Sequence, residues 1–266
     1  FRNDMAKFVG WYEAANAEQF NEARVTLRDV ADYRRWLREE RRQAVATVNR
    51  GLTTLRRYFG WLVKQGQIEA NPADGVKDLK RTPQAPKSID RPSVRRILRA
   101  LKLRGRVRDE AIAALMFFAG LRVGEVISIV GADLILSERS GQVIVRDGKG
   151  SKERVVPLSI EVRRPLATWL EQRPPAETDR IFIGRNGEPL GTDGIRYLCE
   201  QLGLMAGIKL TPHMARHTFA TMWLAENGND LVGLAQILGH ESVDTTARYC
   251  RRTEEALGEA TERVRY

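Results

Sequence analysis

Apolar residues recur at helical spacing through the first eighty positions. Val30, Tyr33, Trp36 and Leu37 share one face of a helix that Thr26 and Asp29 open with a capping-box pattern. Val45, Val48, Leu52, Leu55, Tyr58, Phe59 and Leu62 then recur at threes and fours, which predicts a longer helix. Gly66 can end it, and Asn71-Pro72 marks a turn. Residues 81–92 hold three prolines and few apolar side chains, a linker composition. The pattern divides the chain into a helical domain at 1–82, a linker at 83–91 and a second domain at 92–266.

The second domain alternates between periods. Helical spacing covers Ser93 to Leu103, Asp109 to Ala119, Pro165 to Glu171 and Thr192 to Met205. Thr211-Pro212 starts another helix, with Thr as N-cap and Pro at the first position. Two more are expected at Leu231 to Leu238 and Val243 to Cys250. Between the second and third helices lie three short strands, Leu134 to Leu136, Val143 to Val145 and Val155 to Leu158. Asp147-Gly148-Lys149-Gly150-Ser151 reads as a hairpin turn. The tail, Thr253 to Tyr266, is charged and helix-prone, with Leu257 and Val264 as sparse apolar positions. The expected fold is mainly α with a small antiparallel β-sheet.

Charge adds a partner to this picture. The 44 Lys and Arg outnumber the 34 Asp and Glu, for a net charge of +10. A strongly basic chain points to an anionic partner, nucleic acid first, although solubility alone can also select for charge. Arg50, Arg56, Arg57 and Lys64 are dense and hardly offset by acids, so phosphate contact is favoured over a merely solvated face. Two cysteines give no disulfide framework and fit a reducing cytoplasm. No apolar run is long enough to span a bilayer, so no membrane partner is expected. No signal peptide is visible, and the chain opens on Phe1 rather than Met.

The candidate chemistry narrows by elimination. The three histidines are His213, His217 and His240. His213 and His217 have the i, i+4 spacing of zinc helices, but Met214 stands where the water-activating Glu would be, and the cysteines are unpaired in sequence. No metal is expected. Gly148-Lys149 resembles the end of a nucleotide-binding loop, but Val143 and Gly150 occupy the positions that need Gly and Ser or Thr. No G-x-S-x-G elbow occurs. What remains is a set of cations and one late tyrosine: Arg122 in Ala-Gly-Leu-Arg-Val-Gly-Glu, Lys149 in Gly-Lys-Gly-Ser-Lys-Glu-Arg, His213 and Arg216 in Thr-Pro-His-Met-Ala-Arg-His, His240 in Ile-Leu-Gly-His, and Tyr249 nine residues later.

These segments, in this order, closely resemble the tyrosine recombinases, especially the Xer-like, phage and transposon integrases. The family pattern of Arg, Lys, His-x-x-Arg, His and Tyr is filled at all six positions. Thr47-Val48-Asn49-Arg50 through Asn71-Pro72 also resembles the family's helical, SAM-like core-binding domain, so the likeness covers nearly the whole chain. It implies a two-domain DNA clamp, with residues 92–266 as an α+β catalytic domain. It implies a site-specific recombinase that cuts and rejoins duplex DNA through a covalent 3′-phosphotyrosyl intermediate and a Holliday junction, without metal, ATP or cofactor. The working form would be a homotetramer on synapsed DNA sites in the cytoplasm, at the nucleoid, with accessory DNA-bending or regulatory proteins as further partners. The tail beyond Tyr249 would dock on a neighbouring protomer. A type IB-like topoisomerase would use the same constellation as a monomer; a catalytically idle architectural protein would not need it intact.

The chemistry stands beside the resemblance. Attack on a phosphodiester calls for charge stabilisation at the non-bridging oxygens, which Arg122 and Arg216 can clamp with paired donors. A free tyrosine has a pKa near ~10, so Tyr249 needs a base or a strongly positive site, and His213 fits that role. Lys149 can protonate the leaving 5′-oxygen, and His240 can donate a further hydrogen bond. Glu125 and His217 are read as supports that orient the site. Leu121 and Val123 predict a buried turn around a half-buried Arg122. Lys152 and Arg154 share the hairpin with Lys149 and are read as DNA contacts.

Overall fold

The computed structural model describes residues 1–80, 88–146 and 153–240, together with Thr246. Lys149, Lys152, Tyr249, most of the helix expected at 243–250 and the tail lie outside the described residues. The chain divides into two compact units, Phe1–Gln84 and Ala85–Tyr266.

The first unit is built on α1 (Arg2–Asn16), α2 (Leu27–Glu39) and α3 (Val45–Lys64). The Thr26 hydroxyl accepts the Asp29 N–H while the Asp29 carboxylate accepts the Thr26 N–H, which satisfies two of the orphan donors that start any helix. Val30, Tyr33 and Leu37 are buried as their spacing predicts, and so are Val48, Leu52, Leu55, Phe59 and Leu62 on α3. Phe8 of α1 sits at the centre of an aromatic core, edge-on to Tyr33 at 5.0 Å and to Phe59 at 6.1 Å. Gly66 follows α3 at φ +68°, the left-handed conformation that glycine adopts without a Cβ clash. A buried Asn49 exchanges two 2.9 Å hydrogen bonds with the backbone of Leu79 and so pins the segment that leaves this unit.

The second unit opens with α4 (Arg91–Arg104) and α5 (Val107–Phe118). Every residue from Ala111 to Phe117 is buried, so α5 is apolar all round and forms the centre of the core, with α7 (Ile160–Gln172) and α9 (Pro212–Glu226) against it. Strands β1 (Leu134–Leu136), β2 (Gly141–Arg146) and β3 (Glu153–Pro157) form an antiparallel sheet in chain order. In its register Val143 pairs with Val156 and Val145 with Arg154. Side chains alternate across a strand, so Arg154 shares its face with the buried Val156 and points inward. The remaining helices are α8 (Thr192–Ala206) and α10 (Leu231–Leu238). Thr211 caps α9 through the Met214 N–H, with Pro212 at the first position.

Two features depart from the sequence pattern. Helix α7 starts five residues before Pro165, whose missing N–H falls opposite the carbonyl of the exposed Glu161 and leaves the core untouched. A short α6 (Val123–Ser128) follows the turn at Leu121, too brief and too glycine-rich to show a period. No described helix is long and apolar enough to cross a membrane.

Candidate active site

The site is assembled from short-range backbone necessities. At the end of α5 the chain reverses through Gly120 at φ +66°, where a Cβ would lie 2.3 Å from the Phe219 ring. Leu121 is buried, and Arg122 stands just ahead of α6. The Glu125 carboxylate folds back over this start: its Oε2 accepts the Arg122 N–H at 2.7 Å and its Oε1 accepts from the Arg122 guanidinium at 2.7 Å. The sequence predicted a half-buried Arg122. Its side chain is 42% exposed and anchored by Glu125.

Arg216 projects from α9 into the interior and is only 5% exposed. Its two terminal nitrogens donate to the carbonyls of Gly120, at 2.6 Å, and Leu238, at 2.7 Å. Nη1 also lies 3.6 Å from Glu125 Oε2. Leu238 is the last residue of α10, where carbonyls have no intrahelical partner and the helix dipole is negative. The neighbouring carbonyl, Ile237, accepts from Arg154 Nε at 2.8 Å, and Arg154 Nη2 donates to Glu125 Oε2 at 2.9 Å. A cation at a strand position that faces the core is costly unless paired, and here a carbonyl and a carboxylate supply the pairing. Arg154, read from the hairpin as a DNA contact, holds these two partners and is 16% exposed.

One carboxylate thus faces three guanidiniums. Burial works to raise the Glu125 pKa, but hydrogen bonds from Arg154 and the Arg122 N–H, with the charges of Arg154 and Arg216, hold it below its ordinary value of 4.5. Because the folded value is the lower one, the stability this contributes is complete above the ordinary value and is lost as pH falls through the depressed one.

His240 follows Gly239, which caps α10 at φ +65°. Its Nε2 lies 3.4 Å from Arg216 Nη2 and its Nδ1 lies 2.8 Å from the hydroxyl of the fully buried Thr246. Arginine only donates, so Nε2 is the acceptor in that long contact. Donation to an incoming anion needs the other tautomer or an imidazolium, and the Thr246 hydroxyl can serve either as donor or as acceptor.

Guanidiniums and an imidazole gathered in this way suit an anionic ligand. Residues 87–256 match the phage integrase family. The chain belongs to that family. It is 30% identical to tyrosine recombinase XerC of Xanthomonas campestris pv. campestris over 254 residues, 94% of this chain and 76% of the relative. It is 35% identical to XerC of Escherichia coli O157:H7 over 229 residues, 83% of this chain and 75% of the relative. In fold it resembles the XerH site-specific recombinase bound to its difH substrate, with a TM-score of 0.77 at 22% identity over 98% of this chain and 77% of that one. The protein is a DNA-binding, site-specific tyrosine recombinase.

Within the recombinase, the structure brings together Arg122, Glu125, Arg216 and His240. His213, three residues before Arg216 on α9, is exposed, and its ring stacks 6.5 Å from that of His217. Among the described residues no group of three or more His, Cys, Asp or Glu could hold a metal ion. Lys149, Lys152 and Tyr249 lie outside the described residues.

The basic residues of the first unit separate into two kinds. Arg56 donates to the Val76 carbonyl at 2.6 Å and to Asp78 at 2.8 Å, so it braces the chain after α3. Arg50 bonds Asp4 through two nitrogens at 3.1 and 3.3 Å, although its side chain is still 62% exposed. Arg57 and Lys64 are exposed and hold no ion pair among the described residues. Sequence reasoning also missed Asp109, buried between Arg104 and Arg108; the i, i+5 and i, i+1 placing of opposite charges at the start of α5 was its only trace.

Proposed function

We propose that Arg122 and Arg216 clamp the non-bridging oxygens of the scissile phosphate while Tyr249 attacks phosphorus. The attack forms a 3′-phosphotyrosyl bond and expels the 5′-oxygen, which takes its proton from Lys149. His240 donates to the phosphate, and His213 accepts the phenolic proton. The reverse attack by a 5′-hydroxyl reseals the strand, because the phosphotyrosine link is itself a phosphodiester. The observation that carries this reading is the convergence of Arg122 and Arg216 on Glu125, with His240 3.4 Å from Arg216. Preorganised donors of this kind are usually the largest catalytic contribution, about 10²–10³ in rate for each one lost.

In this reading residues 1–82 are the core-binding domain, 83–91 the linker and 92–266 the catalytic domain, closing together around duplex DNA. The XerH recombinase, whose structure is a pre-cleavage complex with its difH substrate, supports this use of the shared fold. The assembly is a homotetramer that exchanges strands through a Holliday junction in the cytoplasm, with residues 254–266 docking in trans. Recovering DNA covalently held by the protein in its host, and sequencing it, tests the whole reading. The expected result is one defined site joined through a 3′-phosphate. Random sites, or a 5′-linkage, would exclude site-specific recombination by this route.

The role of Lys149 has its own test. A substrate with sulfur at the 5′-bridging position expels a thiolate, whose conjugate acid has a pKa near ~8.5, and so needs little protonation. Lys149→Ala should slow cleavage of ordinary DNA by about 10²–10⁴-fold, the range of a general acid, and sulfur should restore most of that loss. Arg122→Ala should not be rescued. Equal rescue of both variants removes Lys149 from the acid role.

For the first unit, replacing Arg57 and Lys64 together by alanine should lower the slope of log affinity against log salt by about two, weakening all sequences alike. Arg56→Ala should instead lower thermal stability, since its guanidinium is occupied by Val76 and Asp78. An unchanged slope in the double variant assigns both side chains to the solvated surface.

A further inference from the structure

We propose that Arg154 is a positioning residue for the guanidinium pair: it shares Glu125 with Arg122 and Arg216 and, through Ile237, holds the end of α10 that presents His240. The proposal rests on the clamp role of that pair given above, and it assigns Arg154 no contact with DNA.

Three observations converge on it. Arg154 touches both partners that fix the site's geometry, Glu125 Oε2 at 2.9 Å and the Ile237 carbonyl at 2.8 Å, from a strand that belongs to neither helix. Its side chain is 16% exposed, and it occupies an inward strand position where an apolar residue would otherwise sit. Gly239, immediately before His240, makes room for it: a Cβ there would lie 2.9 Å from both Arg154 Cδ and Nη1. The guanidinium therefore lies against the backbone that sets the direction of His240.

The electrostatics give the arrangement a purpose. With Arg122 and Arg216 alone, the Glu125 carboxylate would be shared between two guanidiniums that must also face the phosphate. Arg154 takes up part of Glu125 Oε2, leaving it 3.6 Å from Arg216 Nη1, beyond a short hydrogen bond. Arg216 then points its terminal nitrogens at the carbonyls of Gly120 and Leu238, which hold the guanidinium plane in place. Without Arg154, Glu125 can draw closer to Arg216, tilt that plane and lower its effective charge toward the substrate. Displacements on the order of 1 Å are enough to cost about 10² in rate.

The test compares Arg154→Ala and Arg154→Lys with the unaltered protein, on DNA bearing either an ordinary scissile phosphate or a methylphosphonate, in single turnover at saturating protein. A methylphosphonate lacks one charged non-bridging oxygen and needs less from a cationic clamp. The expected result is a loss of about 10² on ordinary DNA for Arg154→Ala. The loss should shrink at least tenfold on the methylphosphonate, with DNA affinity and its salt slope unchanged. Arg154→Lys can reach Glu125 or Ile237 but not both in the planar geometry, so it should keep the fold and lie between the two. If Arg154→Ala does not fold, the same contrast is read on Arg154→Lys alone. A salt slope lowered by about one would make Arg154 a phosphate contact. An equal loss on both substrates, or no loss per folded molecule, would leave it a merely structural residue; either result overturns the proposal. Failure of the clamp reading itself is distinguishable, because Arg122→Ala would then show no methylphosphonate rescue.

Discussion

Arg216→Ala is expected to damage both the chemistry and the stability of the catalytic unit, whereas Arg122→Ala damages the chemistry alone. Both guanidiniums are assigned to the phosphate, so each truncation should cost at least about 10²–10³ in cleavage rate. Their settings differ. Arg216 is 5% exposed and supplies donors to the Gly120 and Leu238 carbonyls and a cation to Glu125. Removing it strands two carbonyls at the junction of α5, α9 and α10 and takes one of three cations from Glu125, which keeps Arg122 and Arg154. Leaving a buried acceptor without its donor typically costs about 1–3 kcal/mol. Arg122 is 42% exposed, and Glu125 retains Arg154 and the Arg122 N–H when the guanidinium is gone. Its loss should cost under about 1 kcal/mol, as for other exposed pairs. Urea denaturation of the two variants, with single-turnover cleavage under folded conditions, reads both quantities. Equal stability losses would mean that Arg216 is not the keystone its bonds indicate.

The cations proposed to meet the phosphate could be named from the sequence because each sits in a short motif. The partners that position them were not. Arg154 and Ile237 are 83 residues apart, and Arg216 and Gly120 are 96 apart, so no local pattern connects them. One signal was present: Arg154 and Val156 have the same strand parity, and Val156 had to face the core. The bonds of Arg56 to Val76 and Asp78 were also hidden, although it lies four residues after Leu52 and three before Phe59, at the edge of the buried stripe of α3. The long helices followed from periodicity because burial of one face decides them. Helix α6 is six residues long and carries Gly124, so its existence depends on Glu125 folding back onto Arg122, a tertiary fact written in one side chain.

Tyr249→Phe should abolish covalent attachment to DNA while leaving binding intact. The chain has six tyrosines. Three are poor nucleophiles by environment, each pushed up to about 12: Tyr12 by its hydrogen bond to Glu18 and by burial, Tyr33 by burial and the charge of Asp4, and Tyr58 by burial and its hydrogen bond to Glu22. All three also belong to the first unit, which holds none of the clamp residues. Tyr197 lies on α8, 60% exposed, with Arg196 beside it already paired to Asp193. Tyr266 has no cationic motif at a fixed spacing. Tyr249 follows His240 by nine residues in the sequence, and His240 is held beside Arg216. A phenol with an ordinary pKa of ~10 is rarely ionised at neutral pH, and in the proposed mechanism the cations of that centre would stabilise the phenolate. Loss of a nucleophile in other covalent enzymes costs about 10⁶ in rate, so the variant's adduct should fall below detection on a nicked suicide substrate. The measurement is denaturing electrophoresis of the adduct followed by peptide mapping. Attachment at Tyr197, Tyr266 or a serine, or an adduct that survives Tyr249→Phe, would move the nucleophile elsewhere and leave the guanidinium pair as a phosphate-binding site without its attacking group.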